Sequence, residues 1–268
     1  MISFPNAKIN IGLRITEKRP DGFHNLQSCF YPVGWSDALE IIPSDTVGFS
    51  SSGLPIPGAP DTNLCVRAYN LLRSDFNLPP VQIYLHKIVP IGAGLGGGSS
   101  DAAFALRLLN DRFGLGLDVP SLENYARRLG SDCAFFIRNR PTYCVEKGDV
   151  FEDIAVALTG YHILLVYPNV AISTAEAYAG VRPRRPDTSL RDDLLAPIGT
   201  WRTTVRNDFE DSLLPRYPVL ATIRQQLYGA GAIYASLSGS GSTVYGIFDA
   251  PIMPPNQFRT YSVWQGKL

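Results

Sequence analysis

The sequence predicts an α+β protein of two domains, and three features of the chain lead to this prediction. Segments with strand-like alternation and segments with helical spacing are mixed, without the strict strand–helix order of a doubly wound parallel sheet. The length of 268 residues fits one large domain or two small ones. A Thr-Gly pair precedes an apolar strand at 162–167, so we place the boundary near residue 155, with domains at 1–155 and 156–268.

In the first half of the chain, each predicted element follows from the spacing of apolar residues. Isoleucine and leucine recur through 2–15, which indicates a strand broken near Pro5. Serine, proline and glycine concentrate at 50–61, which is typical of a surface loop. In order, the predicted elements are a strand at 2–15, a turn at 19–24, a strand at 38–42, a loop at 50–61, a helix at 63–76, a strand at 81–89, a glycine-rich loop to residue 100, helices at 101–113 and at 121–129 with Ser121 as N-cap, and strands at 135–137 and 142–145.

The second half begins with the strand at 162–167 and contains fewer strong signals. A polar, proline-rich and basic stretch at 182–193 predicts an exposed connection. Helices are predicted at 207–214 and 219–228, followed by strands at 234–237 and 243–248 around a glycine-rich turn. The last segment, from residue 249 onward, matches no pattern from which its packing can be predicted.

Charge and hydropathy narrow the class of protein. The 24 basic residues balance the 24 acidic residues, whereas a general nucleic-acid binder usually carries a basic excess. The sequence contains no apolar run long enough to span a membrane and no signal- or transit-peptide pattern. The four cysteines form no C-x-x-C pair, as is typical of reduced, buried thiols. We therefore expect a cytoplasmic protein, without a nucleic-acid or membrane partner and without a readable metal-ligand motif.

The strongest chemical signal is the block PIGAGLGGGSSDAA at 90–103. Five of the seven residues in 92–98 are glycine, so backbone N–H groups can converge on an anion without hindrance from side chains. A helix follows at once, and its free N–H groups and dipole favour negative charge at the same place. Ser99 and Ser100 add hydroxyl donors. The block predicts a polyphosphate cradle; the alternative is a flexible glycine linker, although linkers do not usually run into an alanine-rich helix.

Two common phosphate loops fit this block poorly. The Walker pattern requires a lysine after the glycines, and none is present. A dinucleotide fingerprint is literally present at Gly92, Gly94 and Gly97. It should be followed, about 20 residues on, by an acidic residue at a strand end. Here that window holds Asp118 in a polar stretch, which weakens the alternative of a dehydrogenase.

Several blocks together resemble the galactokinase–homoserine kinase–mevalonate kinase–phosphomevalonate kinase (GHMP) superfamily. The block at 90–103 is similar to its phosphate loop, and LSGSGS at 237–242 to its last glycine motif. PNAKIN at 5–10 and RPDGFH at 19–24 are similar to motifs of the 4-diphosphocytidyl-2-C-methyl-D-erythritol kinases, and NDFE at 207–210 to that family's N-D-x-E. The blocks cover nearly the whole chain in the family's order.

The resemblance implies an activity, a fold and a nucleotide site. The activity is ATP-dependent phosphorylation of the 2-hydroxyl of 4-diphosphocytidyl-2-C-methyl-D-erythritol, in the non-mevalonate isoprenoid pathway. The fold is a ribosomal protein S5-like N-terminal domain that binds ATP and a ferredoxin-like C-terminal domain, with Mg²⁺ arriving on the nucleotide. The implied cofactor-binding residues are Lys87, Pro90, Gly92, Gly94, Leu95, Gly96, Gly97, Gly98, Ser99 and Ser100. For Lys87, a solvated lysine at a sheet edge remains the alternative to a nucleotide contact.

Lys8 and Asp132 are the predicted catalytic pair. An ammonium in the Ile- and Leu-rich first strand is costly unless it is paired, and the family's lysine at this motif is catalytic. Asp132 is flanked by small residues and precedes an apolar run, so we expect it half-buried at the start of a strand, where it accepts the hydroxyl proton. The alternatives are a solvent-facing lysine and a turn or N-cap aspartate. The family has V-P where this chain has Cys133 and Ala134.

The resemblance also implies a substrate site, formed by Asn10, Phe23, His24, Tyr178, Gly239 and Ser240. Phe23 and Tyr178 would stack on cytosine, and His24 would hydrogen-bond it; the family has Tyr and Phe, respectively, at the two stacking positions. Asn10 would bond the hydroxyls of the acceptor. Each residue has an ordinary structural alternative, such as a turn histidine, a helix aromatic, a solvent-facing asparagine or a simple hairpin.

Two further hypotheses stay open from sequence alone. One is another kinase of the superfamily, which would not need the base-stacking residues at 23–24. The other is a catalytically inactive paralogue that binds a nucleotide or a sugar, for which Lys8 and Asp132 would have no use. The expected state is a monomer or homodimer.

Overall fold

The computed structural model describes all 268 residues of the chain. In chain order the strands are β1 (Ile2–Ser3), β2 (Asn6–Lys18), β3 (His24–Ser36), β4 (Ala38–Pro43), β5 (Gly48–Gly53), β6 (Val81–Lys87), β7 (Thr142–Val145), β8 (Val150–Asp153), β9 (His162–Tyr167), β10 (Tyr234–Leu237), β11 (Val244–Phe248) and β12 (Ser262–Lys267). The α-helices are α1 (Leu64–Phe76), α2 (Gly97–Phe113), α3 (Val119–Arg127), α4 (Phe135–Arg138), α5 (Thr174–Ala179), α6 (Leu190–Leu195), α7 (Trp201–Thr204), α8 (Glu210–Arg216) and α9 (Pro218–Gly229).

The chain divides into two compact units that are each assembled from separate segments. The first unit comprises Met1–Ala7, Trp35–Ile91 and Gly96–Arg140; the second comprises Lys8–Gly34, Gly92–Leu95 and Pro141–Leu268. A single cut near residue 155 does not describe these units, and the predicted boundary stays a prediction about the sequence domains.

A four-stranded sheet in the order β1-β4-β6-β5 forms the base of the first unit. Its pairs are antiparallel except β5–β6, which is parallel. Along β6 the side chains alternate, so that Ile83 and Leu85 are buried while Tyr84 and His86 are exposed. Helix α2 contacts β1 and β4 and packs against α1, α3 and α4. One face of the sheet is therefore covered by helices, and this places the start of α2 beside the end of β6.

The second unit holds two four-stranded sheets, in the orders β2-β3-β7-β8 and β10-β11-β9-β12. All three strand pairs of the latter sheet are antiparallel, and helix α9 packs against β10 and β11. Leu164, Val166, Ile223, Leu227 and Leu237 belong to the apolar core under this sheet. The C-terminal segment, whose packing was not predicted, ends as strand β12 beside β9.

The mixture of helices and sheets confirms the α+β prediction, but several local predictions are wrong. The apolar run at 135–137 is the single-turn helix α4, because a short apolar run fits a buried helix as well as a strand. The loop predicted at 50–61 contains part of β5. This segment is rich in serine and glycine but forms a strand because it pairs with β6. The long strand β3 is absent from the predicted elements, although seven of its 13 residues are buried.

Two helix starts also differ from prediction. Helix α2 begins at Gly97 rather than at residue 101, so its first turn is made of the glycines and serines of the loop itself. The N-cap of α3 is Asp118, whose carboxylate accepts a hydrogen bond from the Ser121 backbone N–H, so Ser121 is not the cap. None of the helices has the length and apolar character needed to cross a membrane.

Candidate active site

In the second unit, the first half of the glycine-rich loop packs directly on the last glycine motif. The Ser238 hydroxyl donates to Gly94 O at 2.8 Å, and Thr243 N–H donates to Ala93 O at 3.2 Å. Gly94 has φ +78°, and a Cβ added there would lie 2.0 Å from Ser238 O. Only glycine therefore permits this approach. Two glycine motifs whose contacting residues lie 144 positions apart in the sequence are therefore packed together.

Two side chains of the NDFE motif form hydrogen bonds with the backbone of the last glycine motif. The buried Asn207 donates through Nδ2 to Leu237 O at 2.8 Å and to Gly239 O at 2.9 Å. The Glu210 carboxylate accepts from Leu237 N–H at 2.8 Å. The predicted substrate residues Gly239 and Ser240 are thus placed by this motif, whose supporting role the sequence did not reveal.

In the first unit, helix α2 begins without a side-chain cap on its first backbone N–H groups. Its N-cap Gly96 has φ +70° and makes no side-chain hydrogen bond to the helix. The N–H groups of the first turn, which includes Gly97, Gly98 and Ser99, therefore retain the capacity to bind an anion. The Ser100 hydroxyl is buried and has no hydrogen-bond partner. Uncapped N–H groups and an unpartnered hydroxyl at the start of α2 are the donors that the polyphosphate site predicted at 92–100 needs from this helix.

Lys87 lies under this first turn, at the end of β6. Its ammonium is 3% exposed and lies 2.5 Å from Asp37 Oδ2 and 2.7 Å from Asp101 Oδ2. A Cβ added at Gly97 would lie 2.9 Å from Lys87 Nζ, so the lysine and the glycine-built turn fit one another closely. Asp37 also accepts from the N–H groups of Ile88 and Val89. The alternative of a solvated edge lysine is wrong, and the predicted nucleotide contact stays a prediction.

Charges in this cluster shift one another's pKa. Burial raises the pKa of Asp101 to about 7. The positive charge of Lys87 lowers this pKa, and the negative charge of Asp37 raises it. Burial opposes the Lys87 ammonium, but the charges of Asp101 and Asp37 outweigh it and raise the pKa of Lys87. One ammonium between two carboxylates is a buried network that keeps the lysine protonated. Sequence reasoning missed Asp37, which stands alone between two strands without a motif.

Asp132 is half-buried, as expected, but it lies in a turn that leads into helix α4, not a strand. The next residue, Cys133, is buried, and burial raises the pKa of its thiol to about 11. Helix α4, into which the turn leads, packs against α2, so Asp132 lies on a segment beside that helix. Nothing in the structure explains why Cys133 and Ala134 stand where the family has V-P.

Lys8 is buried on β2 in the second unit, so the alternative of a solvent-facing lysine is wrong. Its ammonium donates to Asn10 Oδ1 at 2.5 Å and to Gly94 O at 3.3 Å. It also lies 4.8 Å from the centre of the Phe30 ring. The predicted catalytic lysine is therefore joined to the glycine-rich loop through a carbonyl of that loop.

Asn10 is also buried, and both ends of its side chain have partners. Its Nδ2 donates to the Ser28 hydroxyl at 2.9 Å, and its Oδ1 faces Lys8. Its backbone is held as well, because its N–H donates to Ser238 Oγ and its carbonyl accepts from the Tyr245 hydroxyl at 2.8 Å. The alternative of a solvent-facing asparagine is wrong. The predicted bond to the acceptor hydroxyls stays a prediction.

The predicted base-binding residues lie near one another in the second unit. The His24 and Tyr178 rings stack with centroids 4.8 Å apart and an interplanar angle of 26°, and Tyr178 meets Phe209 edge-on. The Phe23 side chain is 60% exposed, with the Lys147 ammonium 5.4 Å from the ring centre. Burial, helped by the Lys18 charge, lowers the pKa of His24, which favours a neutral imidazole. The Phe23 ring is therefore accessible to an aromatic group from solvent.

Two family models match the chain. The GHMP kinases N-terminal domain matches residues 63–140, and the GHMP kinases C-terminal domain matches residues 196–252. Among solved structures, a 4-(cytidine 5'-diphospho)-2C-methyl-D-erythritol kinase superposes with a TM-score of 0.81 at 30% identity, covering 94% of this chain and 91% of that one. The mevalonate kinase of Methanococcus jannaschii superposes with a TM-score of 0.65 at 13% identity, which shows a shared fold. GHMP kinases use ATP as phosphoryl donor.

Relatives that match nearly the whole chain show to which family of GHMP kinases it belongs. The chain is 53% identical over 252 residues to the 4-diphosphocytidyl-2-C-methyl-D-erythritol kinase of Bacteroides fragilis, covering 92% of both chains. It is 46% identical over 270 residues to the enzyme of the same name from Parabacteroides distasonis, covering 100% of both. Identity of this extent, together with the two domain matches, identifies the chain as a member of the 4-diphosphocytidyl-2-C-methyl-D-erythritol kinase family of GHMP kinases.

Proposed function

We propose that the chain transfers the γ-phosphoryl group of ATP to the 2-hydroxyl of 4-diphosphocytidyl-2-C-methyl-D-erythritol, a step of the non-mevalonate route to isoprenoid precursors. The observation that carries the proposal is the buried Lys8 ammonium, held by Asn10 and by the Gly94 carbonyl of the glycine-rich loop. A cation fixed against a phosphate loop has an evident use in phosphoryl transfer, where negative charge develops on the transferred group.

The nucleotide is proposed to bind as MgATP along the glycine-rich loop. Gly92, Gly94 and Leu95 supply the first half of the loop, and Gly96 to Ser100 supply the start of α2. Backbone N–H groups and the Ser99 and Ser100 hydroxyls donate to phosphate oxygens. Pro90 is buried where the loop leaves the sheet, and its rigid ring supports the entry into the loop.

The chemistry requires a proton acceptor and a positive charge. Asp132 is proposed to accept the proton of the attacking hydroxyl, since a half-exposed carboxylate on the turn before α4 is accessible to a substrate that arrives from solvent. Lys8 is proposed to stabilise the charge of the hydroxyl oxygen and the transferred phosphoryl group.

Selection of the acceptor is proposed to lie in the aromatic cluster of the second unit. Phe23 and Tyr178 stack on the cytosine, and His24 hydrogen-bonds its edge, while Asn10, Gly239 and Ser240 face the sugar-alcohol and phosphate part. Acceptors without a base, such as homoserine or mevalonate, would leave this cluster unused. We further propose that the enzyme acts in the cytoplasm as a monomer or homodimer, without nucleic-acid or membrane partners.

The test is ATP turnover by the purified protein with a panel of acceptors. The panel contains 4-diphosphocytidyl-2-C-methyl-D-erythritol, free methylerythritol, homoserine and mevalonate. We expect turnover with the cytidylated compound alone, and a loss of about 10²-fold or more in kcat for Asp132→Asn. Turnover with homoserine or mevalonate would reject the cytidine site. ATP binding without turnover of any acceptor would favour the binding paralogue.

A further inference from the structure

A chain of buried hydrogen bonds runs away from Lys8 into the sheet of β2 and β3. The ammonium donates to Asn10 Oδ1 at 2.5 Å, Asn10 Nδ2 donates to Ser28 Oγ at 2.9 Å, and Ser28 Oγ donates to Gly12 O at 2.6 Å. Ser28 lies on β3 and is completely buried. It belongs to none of the motifs that carry the family resemblance to the phosphate or base sites.

The direction of each hydrogen bond in this series follows from whether its groups can donate or only accept. The Gly12 carbonyl can only accept, so the single hydrogen of the Ser28 hydroxyl is used on it. Ser28 Oγ must therefore act as an acceptor towards Asn10, and only the NH₂ end of that amide can donate. The amide oxygen is left facing Lys8, whose ammonium can only donate. The Gly12 carbonyl at one end of the hydrogen-bond series and the Lys8 ammonium at the other therefore require the same orientation of the Asn10 amide.

The backbone around Gly12 supports the same arrangement. Gly12 has φ +65°, a conformation that other residues rarely adopt, and a Cβ added there would lie 2.7 Å from Leu190 Cδ1. This left-handed residue within β2, two positions after Asn10, fixes the carbonyl that takes the Ser28 hydrogen. The last acceptor of the hydrogen-bond series, the Gly12 carbonyl, is thus fixed by backbone geometry rather than by a mobile side chain.

We infer that Ser28 is a positioning residue for phosphoryl transfer, because it fixes which end of the Asn10 amide meets the Lys8 ammonium. The inference rests on the proposed function, in which Lys8 stabilises the transferred charge. Without the Ser28 hydroxyl, the NH₂ end of the amide loses its acceptor, and the amide is no longer prevented from turning. The turned amide places N–H groups against the ammonium and displaces it. Ser28 touches neither substrate nor nucleotide in this scheme.

The kinetic test compares Ser28→Ala with Ser28→Thr, which keeps the hydroxyl. We expect Ser28→Ala to lower kcat about tenfold to a hundredfold, with KM for ATP and for the cytidylated acceptor changed less than about threefold. Ser28→Thr should retain most of the activity. Wild-type kcat in Ser28→Ala, or an equal loss in both variants, would overturn the inference.

A packing control separates positioning from simple loss of stability. Cys144 is buried and pairs with Ser28 across β3 and β7, so Cys144→Ala removes a side chain of similar size at the same place in the sheet. We expect Cys144→Ala to keep kcat within about threefold, even where its thermal midpoint falls as far as that of Ser28→Ala. Matched losses of kcat in the two alanine variants would show that Ser28 acts only through packing.

A spectroscopic measurement tests the amide itself, independently of turnover. In ¹⁵N-labelled protein, the Asn10 side-chain NH₂ signal can be assigned from its absence in Asn10→Asp. We expect this signal to shift in Ser28→Ala and to remain near its wild-type position in Ser28→Thr and Cys144→Ala. An unchanged signal in Ser28→Ala would overturn the inference. If the wild-type protein instead failed to phosphorylate the cytidylated acceptor, the proposed function would fail while the amide assignment would still be tested.

Discussion

Lys8 and Lys87 are both buried at strand positions, yet their ammonium groups meet different partners. Lys87, in the first unit, lies between the carboxylates of Asp37 and Asp101. Lys8, in the second unit, donates to an amide and a peptide carbonyl and lies over an aromatic ring. Lys87 is thus held by two buried carboxylates of its own unit, whereas the Lys8 ammonium lies against a carbonyl of the glycine-rich loop. The first arrangement suits a lysine that stabilises the fold, and the second suits a lysine that acts at a phosphate site.

The largest effect is expected when Lys87 is removed. Lys87→Met leaves two carboxylates buried beside each other, and breaking a buried ion pair in this way typically costs about 3–5 kcal/mol. We expect the free energy of unfolding, measured with urea, to fall by this amount. A control in which Asp37→Asn, Lys87→Met and Asp101→Asn are combined removes all three charges and should recover part of the loss. A stable Lys87→Met protein would contradict the assignment of this lysine to the fold.

A comparable effect, but on rate rather than stability, is expected at Lys8. Lys8→Met should lower kcat about 10²–10³-fold, the cost found when one group that stabilises transition-state charge is removed. The urea midpoint should change much less than it does for Lys87→Met. The comparison fails if the two lysine variants lose stability to the same extent, because the two lysines would then have the same structural role.

The smallest effect concerns pH and sharpens the description of the Lys87 cluster. Burial raises the pKa of Asp101 from 3.8 to about 7, so between these values the folded chain binds more protons than the unfolded chain. The stability of the folded chain should therefore fall as pH rises through this range. Thermal midpoints of the wild type at pH 5 and pH 7.5 measure the slope. Asp101→Asn should flatten it, and an equal slope in the variant would assign it to other groups.

The glycine-rich loop and the helix after it were predictable, because a run of glycines directly before alanine-rich sequence indicates a loop that enters a helix. The burial of Lys8 followed from its apolar strand. The partners of both lysines were not predictable in the same way. Asp37 and Ser28 are single polar residues whose roles arise only when β6 and β2 come to lie beside them, and neither has a local signature. Residues at 135–137 show the same limit, since three apolar residues do not distinguish a strand from one turn of helix.

The interleaving of the two units has a consequence for synthesis. A nascent chain that has been made only as far as Arg140 already contains every segment of the first unit. Strands β2 and β3, made near the start, must wait for β7 and β8 before their sheet is complete. The residues around Lys8 are therefore translated among the earliest but are among the last to be enclosed, since Ser238 and Tyr245 must arrive before Asn10 is held. A chain truncated before these residues would retain helix α2 at the predicted phosphate site and would lack the contacts that hold Asn10 beside the predicted catalytic lysine.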